Sequence, residues 1–238
     1  MTQLYYGFIY DSITEQNALQ RADIGKKLTT TTTPWLVYED VANIVIDHWP
    51  VNLWFVEVSK AFTTSNKNYT PAITIKPLKQ LPCSLLFGPK GEGICQLLEK
   101  IIQLNQQQVE QLAAFSNPLR EDAYARAWNT WLKESTKLTM HYDTDLTTTL
   151  AIGVGEEASP IYGGFLAVDH LFRQQAYKLV ADDAFIKMPN TGDIYLVDIW
   201  RKACAVLLHM AMALGAEQYV APQDLPFLLL GLEITNKQ

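Results

Sequence analysis

Hydrophobic positions change their spacing near residue 88 of the 238-residue chain. Before that point, short runs rich in aromatic and β-branched residues alternate with turn signals, which is typical of strands. After it, apolar residues recur every three or four positions, which is typical of amphipathic helices. The pattern predicts an α+β fold: a small mixed α/β sheet subdomain at 1–88 packed on a mainly helical subdomain at 89–238, the two sharing an interface or forming one continuous domain.

In the first part, Pro50 ends a predicted helix over 39–49. The five threonines Thr29–Thr33 are predicted to form an extended loop or edge segment, because β-branched side chains resist helix and Thr33 precedes a proline. The runs predicted as strands are 4–10, 53–58, the segment around Ile73 and Ile75, and 84–87.

In the second part, Asn117 and Pro118 are typical of a helix start, with Asn117 as the cap and Pro118 at the first helical position. The apolar spacing predicts one long helix before them and a further helix opening at Pro160. A last helix at about 195–214 is apolar nearly all round, so we expect it to be central and buried, with Gly215 as a left-handed stop. The predicted long helix covers 94–112, and a strand-like run covers 146–154.

Charge is unevenly divided along the chain. Residues 1–120 carry ten Lys and Arg against ten Asp and Glu, whereas 121–238 carry nine against fifteen, so the second half accounts for the whole net charge of −6. Nucleic acids and anionic membranes require clustered cations, and the chain has none beyond isolated pairs. We therefore expect no nucleic acid and no membrane as partner; the acidic half favours a basic partner protein or serves solubility.

The first residues, 1–6, lack the basic and long apolar regions of a secretion signal. The three cysteines, Cys83, Cys95 and Cys204, are an odd number at no metal-ligand spacing, which indicates reduced, mostly buried thiols. These features predict a cytoplasmic protein, and no cofactor is predicted.

A glycine-rich loop lies between a predicted strand and a predicted helix, where backbone N–H groups can hold an anion. Its Gly-x-x-x-x-Gly spacing is that of a phosphate-binding loop, but Ile94 and Cys95 stand where Lys and Ser or Thr are needed. The alternative is a plain turn that joins a strand to a helix. The candidate anion-binding residues are Gly88, Lys90, Gly91 and Gly93.

An imidazole and two carboxylates alternate at His141, Asp143 and Asp145. On an extended strand these three side chains would share one face and could hold a divalent metal together with ligands from elsewhere. The alternative is a polar connection in which the aspartates bond to their own backbone.

Aromatic residues recur at three- and four-residue spacing along one predicted helix, at Tyr124, Trp128 and Trp131. Such a stripe is usually core. If it were exposed beside acidic residues, it would resemble the anchors that dominate protein–protein binding. The candidate partner-binding residues are Glu121, Asp122, Tyr124, Trp128, Trp131, Glu134, Asp143 and Asp145.

The leading functional prediction is a non-enzymatic protein-binding protein, in its most concrete form an immunity- or antitoxin-like inhibitor that occludes a basic partner. Acidic residues would steer the partner, and the rings would supply affinity. The rival is an enzyme or a protein binding an anion or metal ligand at the junction of the two subdomains. No serine nucleophile elbow of the form Gly-x-Ser-x-Gly occurs.

Overall fold

The protein is described by a computed structural model covering residues 5–12, 24–62, 69–134 and 160–236. Antiparallel strands dominate the first part, and helices dominate the second, so the fold is α+β. The strands of the first part are β1 (Tyr5–Ser12), β2 (Leu28–Thr29), β3 (Trp35–Tyr38), β4 (Val51–Ala61) and β5 (Tyr69–Leu81).

Four of these strands close into a ring. β4 pairs with β1 on one edge and β5 on the other, while β3 pairs with both β5 and β1. Side chains alternate across each strand, so one set fills the interior of this small barrel. Buried residues of the interior include Ile9, Val37, Trp54, Val56 and Ile75.

The threonine run forms a loop between β2 and β3. β2 and β3 both pair with the same edge of β5, with Thr29 opposite Thr74 and Trp35 opposite Ala72. Five residues lie between Thr29 and Trp35, but only one lies between their partners, so four extra residues loop out. The threonines therefore form the predicted loop at an edge.

The helices share a hydrophobic core with the first part of the chain. Their shared core also takes in Tyr38, Trp49 and Leu53 from the first part, so one hydrophobic cluster crosses residue 88. The helices are α1 (Gly91–Ile101), α2 (Gln106–Ala113), α3 (Pro118–Glu134), α4 (Pro160–Val180), α5 (Asp198–Gly215) and α6 (Leu225–Leu228), with a small hairpin of β6 (Phe185–Lys187) and β7 (Ile194–Leu196) between α4 and α5.

Helix α5 is buried along most of its length, which confirms the prediction of a central apolar helix. Helices α3 and α4 begin at the predicted prolines, and the side-chain oxygen of Asn117 accepts the backbone N–H of Arg120. The predicted left-handed stop at Gly215 is wrong. A Cβ there would lie 2.8 Å from Cδ1 of Ile94, so glycine permits close packing of α5 on α1.

Three predicted elements differ from the structure. Only a short 3₁₀ turn, Val41–Asn43, replaces the predicted helix at 39–49, since consecutive β-branched residues at 44–46 and Pro50 disfavour helix. Residues 84–87 belong to a 3₁₀ segment, Cys83–Phe87, and not to a strand. The predicted long helix is broken at Asn105, whose capping box with Gln108 starts α2.

A buried guanidinium ties the helices together. Arg120 is fully buried; it donates from Nε to Nδ1 of His209 at 3.1 Å and from its terminal nitrogens to three backbone carbonyls. Those carbonyls belong to Val206, Leu228 and Leu230, at 2.7–3.0 Å. Burial lowers the pKa of Arg120 to about 10, and burial followed by the charge of Arg120 lowers the pKa of His209.

Among the described residues, no helix combines the length and apolar character that a membrane crossing needs. The strand-like run at 146–154 lies outside the described residues.

Candidate functional site

The barrel opens between β1 and β3. These strands are paired only at Phe8 and Tyr38, and beyond that pair they separate. The gap is a cleft of about 710 Å³, within the size range of small-molecule sites. We call it the barrel cleft; its lining residues are Ile9, Tyr10, Asp11, Thr29–Thr33, Pro34, Trp35, Leu36, Asp47 and His48.

Asp11 is the most buried ionisable group of the barrel cleft, with 5% of its surface exposed. Its Oδ1 accepts the indole N–H of Trp54 at 3.2 Å, whereas its Oδ2 has no hydrogen-bond partner among the described residues. Burial raises the pKa of Asp11, and the side chains of Trp54, Asn52 and His48 oppose that rise. A buried carboxylate in this setting would gain from a positive ligand.

His48 stands beside Asp11 in the cleft and is oriented by its neighbour in sequence. Its Nδ1 is hydrogen-bonded to the Asp47 carboxylate, which assigns a proton to Nδ1, so in the neutral ring Nε2 is an acceptor. Nε2 is buried and has no partner among the described residues. The backbone oxygen of Asp47 accepts a hydrogen bond from Gln174 of α4 at 2.9 Å, so a helix holds this pair in place.

The opposite wall supplies an indole and hydroxyls. Nε1 of Trp35 is a buried donor with no partner in the described part of the chain. The hydroxyl of Thr30 bonds the carbonyl of Thr33 and the N–H of Thr32, so it shapes the loop. The hydroxyls of Thr31, Thr32 and Thr33 make no hydrogen bond to another described residue, and these three residues are exposed.

Three residues that line the cleft therefore each carry a buried polar atom without a partner among the described residues: Oδ2 of Asp11, Nε1 of Trp35 and Nε2 of His48. A buried polar atom without a partner costs about 1–3 kcal/mol, and native proteins retain few of them. Among the described residues, no Lys or Arg lines the cleft, whereas two carboxylates do. The site is thus negative and rich in hydrogen-bonding groups.

The structure places the predicted aromatic anchors in the core. Tyr124, Trp128 and Trp131 are each at most 1% exposed, so the prediction that these rings face a partner is wrong. The ring of Trp128 lies 4.9 Å from that of Trp131 and 5.4 Å from that of Phe165. The helical spacing of the rings is the spacing of a buried face.

The acidic residues of the same helix have mixed surroundings. Asp122 and Glu134 are exposed, and Glu121 is half-buried. Arg126 and Lys133 are exposed on the same helix, and Arg126 makes two hydrogen bonds to Asp224, at 2.7 and 2.9 Å. The described surface of α3 therefore carries both signs of charge. Asp143 and Asp145 lie outside the described residues.

In the predicted anion-binding loop, the glycines have packing roles. A Cβ at Gly91 would lie 1.9 Å from the carbonyl oxygen of Ser84, and one at Gly93 would lie 3.1 Å from Cβ of Leu214. The N–H groups of Gly91 and Gly93 bond the carbonyls of Gly88 and Lys90. The ammonium of Lys90 is 3.5 Å from the carboxylate of Glu217. These contacts use groups that an anion would need, so anion binding here stays a prediction without structural support.

The predicted metal ligands His141, Asp143 and Asp145 lie outside the described residues. Within 5–12, 24–62, 69–134 and 160–236, no group of three or more His, Cys, Asp or Glu side chains could hold a metal ion.

The sequence pattern did not indicate Asp11 or Trp35 as site residues, and the predicted helix over 39–49 included His48. One signal was present: Asp11 follows a run of aromatic and apolar residues with strand alternation, at a position that faces inward. The adjacent Asp47 and His48 were a second signal, since a carboxylate beside an imidazole fixes its tautomer.

Comparison of the chain with family models, with curated proteins and with solved structures finds no match. The functional argument therefore depends on the geometry of the barrel cleft.

Proposed function

We propose that this protein binds a small ligand that carries a positive charge together with hydroxyl groups, such as an amino sugar or an amino alcohol. The observation that supports this function is that three residues lining the barrel cleft each carry a buried polar atom without a partner among the described residues.

The positive charge of the ligand follows from Asp11. Its buried Oδ2 would accept an ammonium group, and a paired buried charge is far less costly than an unpaired one. A second carboxylate, Asp47, adds to the negative potential, and no Lys or Arg lies among the described lining residues. A phosphate or carboxylate ligand would be repelled by the same groups.

The hydroxyl groups of the ligand follow from the remaining atoms. Nε1 of Trp35 is a donor and Nε2 of His48 an acceptor, so the two can bond different sides of one hydroxyl-bearing molecule. The exposed threonines add groups that both donate and accept. The rings of Tyr10 and Trp35 supply the apolar surface that small-molecule sites also contain.

Protein-observed NMR with D-glucosamine, D-glucose and N-acetyl-D-glucosamine tests the proposal, with ethanolamine and D-glucuronate as further probes. We expect both amines to perturb the signals of residues around the barrel cleft. The neutral sugars should bind at least tenfold more weakly than glucosamine, and glucuronate should not bind. Preference for glucuronate or for the neutral sugars would contradict the proposal.

A matched pair of variants assigns the effect to Asp11. Asp11→Asn keeps the shape of the side chain and removes its charge, and Asp122→Asn removes an equal charge from the exposed side of α3. Loss of a buried charge pair corresponds to a drop in amine affinity of about tenfold or more. The same loss in both variants would point to the overall charge of the protein and not to the cleft.

The second candidate function is the predicted binding of a basic partner protein, in its narrow form an immunity- or antitoxin-like occlusion. The exposure of Asp122 and Glu134 favours it, although the buried rings of α3 supply no anchor. Both functions are proposed for the cytoplasm, because the three free cysteines suit a reducing compartment. Co-purification of a basic protein that the double variant Asp122→Asn, Glu134→Gln fails to capture would support this candidate, and equal capture would exclude its electrostatic basis.

A further inference from the structure

Two cysteine sulfurs lie side by side outside the lining of the barrel cleft. Cys83 begins the 3₁₀ segment that follows β5, and Cys95 lies in the second turn of α1. Their Sγ atoms are 3.7 Å apart, and neither residue belongs to the barrel cleft. The two sulfurs need to approach by less than 2 Å to reach the length of a disulfide bond.

The two thiols differ in exposure. Cys83 is half-buried and is the more exposed residue of the two, whereas Cys95 is 5% exposed. In this arrangement Cys83 can react first with an oxidant, and the buried sulfur of Cys95 can then react with the oxidised Cys83. The third cysteine, Cys204, is buried in the helical layer, and its sulfur contacts Asp169 at 3.4 Å.

The pKa values of the two thiols also favour Cys83 as the attacking sulfur. The hydrogen bond from Cys95 is the main cause that lowers the pKa of Cys83 to about 7; burial and the charges of Glu92 and Glu99 oppose it. Cys95 keeps its proton, since that hydrogen bond and burial raise its pKa. For Cys204, burial and the neighbouring Asp169 raise the pKa well above the ordinary value, which predicts an inert thiol.

We propose that Cys83 and Cys95 are a modification site at which a hydroperoxide forms an intramolecular disulfide. The Cys83 thiolate attacks one oxygen of the hydroperoxide, so an S–O bond forms, the O–O bond breaks and the leaving alkoxide or hydroxide takes a proton from water. The sulfur of Cys95 then attacks the sulfenic acid, and hydroxide leaves with the Cys95 proton as water. The two thiols together lose two electrons, and the hydroperoxide is reduced to an alcohol, or to water if it is hydrogen peroxide.

The experiment uses the full-length protein, reduced and then treated with hydrogen peroxide at an equimolar dose. Trypsin cuts after Lys79, Lys90 and Lys100, so Cys83 and Cys95 fall in the separate peptides 80–90 and 91–100. We expect these peptides to be joined in the non-reduced digest, with a loss of about 2 Da from the intact protein, and to separate on reduction. Oxidation of Cys83 to sulfinic acid without the joined peptides would overturn the proposal.

Alkylation rates and variants give independent outcomes. At pH 7 and before oxidation, Cys83 should react with iodoacetamide roughly tenfold or more faster than Cys204. In Cys95→Ser, dimedone should trap a sulfenic acid at Cys83, and in Cys204→Ser the joined peptides should form as in the wild type. Alkylation of Cys204 as fast as that of Cys83, or peptide joining only in denaturant, would contradict the proposal while leaving the barrel-cleft function untouched.

Discussion

Replacing Asp11 by Asn should stabilise the ligand-free protein at neutral pH. The carboxylate is 5% exposed and leaves Oδ2 unpartnered, which costs about 1–3 kcal/mol when an acceptor is buried unsatisfied. The amide keeps an oxygen for the indole of Trp54 but brings an N–H₂ group that needs its own partner. We therefore expect the lower end of that range, a gain of about 1 kcal/mol or 2–4 °C in melting temperature.

The pH dependence of this gain follows from the raised pKa of Asp11. The folded state holds the Asp11 proton to a higher pH than the unfolded chain, whose ordinary value is 3.8. Between the two pKa values the folded state binds more protons, so the free energy of unfolding falls as pH rises. Asp11→Asn lacks this fall, so its advantage should be largest above the folded-state pKa and should disappear near pH 4.

Urea unfolding followed by tryptophan fluorescence from pH 4 to pH 8 measures the difference. The control Asp122→Asn should stay within about 0.5 kcal/mol of the wild type, as exposed substitutions generally do. Destabilisation of Asp11→Asn across the whole pH range would refute the reasoning, because it would mean that both carboxylate oxygens are needed for folding.

Three further predictions concern the fold that holds the cleft. Arg120→Met should lower the free energy of unfolding by about 3–5 kcal/mol in urea titrations, because four buried acceptors lose the hydrogen bonds that the guanidinium donates to them. A loss below about 1 kcal/mol would contradict this. Arg126→Ala should lower the free energy of unfolding at pH 7, and by less as pH falls, since its hydrogen bonds lower the pKa of Asp224 and that stabilisation is lost as Asp224 takes up a proton; an equal loss at pH 3 and pH 7 would contradict this. Gly91→Ala should lower the melting temperature by more than 5 °C in calorimetry, because the new Cβ would lie 1.9 Å from the carbonyl oxygen of Ser84. An unchanged melting temperature would mean that Gly91 does not pack closely against Ser84.

Local chemistry made much of the helical layer predictable from the sequence. The start of α3 follows from Asn117 and Pro118, whose cap and fixed φ suit a helix start. The burial of α5 follows from its apolar character on all sides. Both signals lie within a few consecutive residues, so no knowledge of distant contacts is needed.

The barrel cleft could not be predicted in the same way. Its atoms come from β1, the threonine loop, β3 and the segment after the Val41–Asn43 turn, and the register of the sheet brings these elements together. The prediction of a helix at 39–49 also placed His48 wrongly. It put His48 on a helix, whereas in the structure His48 lines the barrel cleft. The prediction that the aromatic rings of α3 face a partner was wrong for a related reason. Spacing shows that residues share one face of a helix, but it does not show whether another helix covers that face.

A crystal structure of the protein soaked in D-glucosamine tests the central claim most directly. The account predicts that the ammonium nitrogen lies about 3 Å from Oδ2 of Asp11, with sugar hydroxyls on Nε1 of Trp35 and Nε2 of His48. A barrel cleft that holds only water while glucosamine binds elsewhere, or a sugar bound with its ammonium group turned away from Asp11, would contradict it.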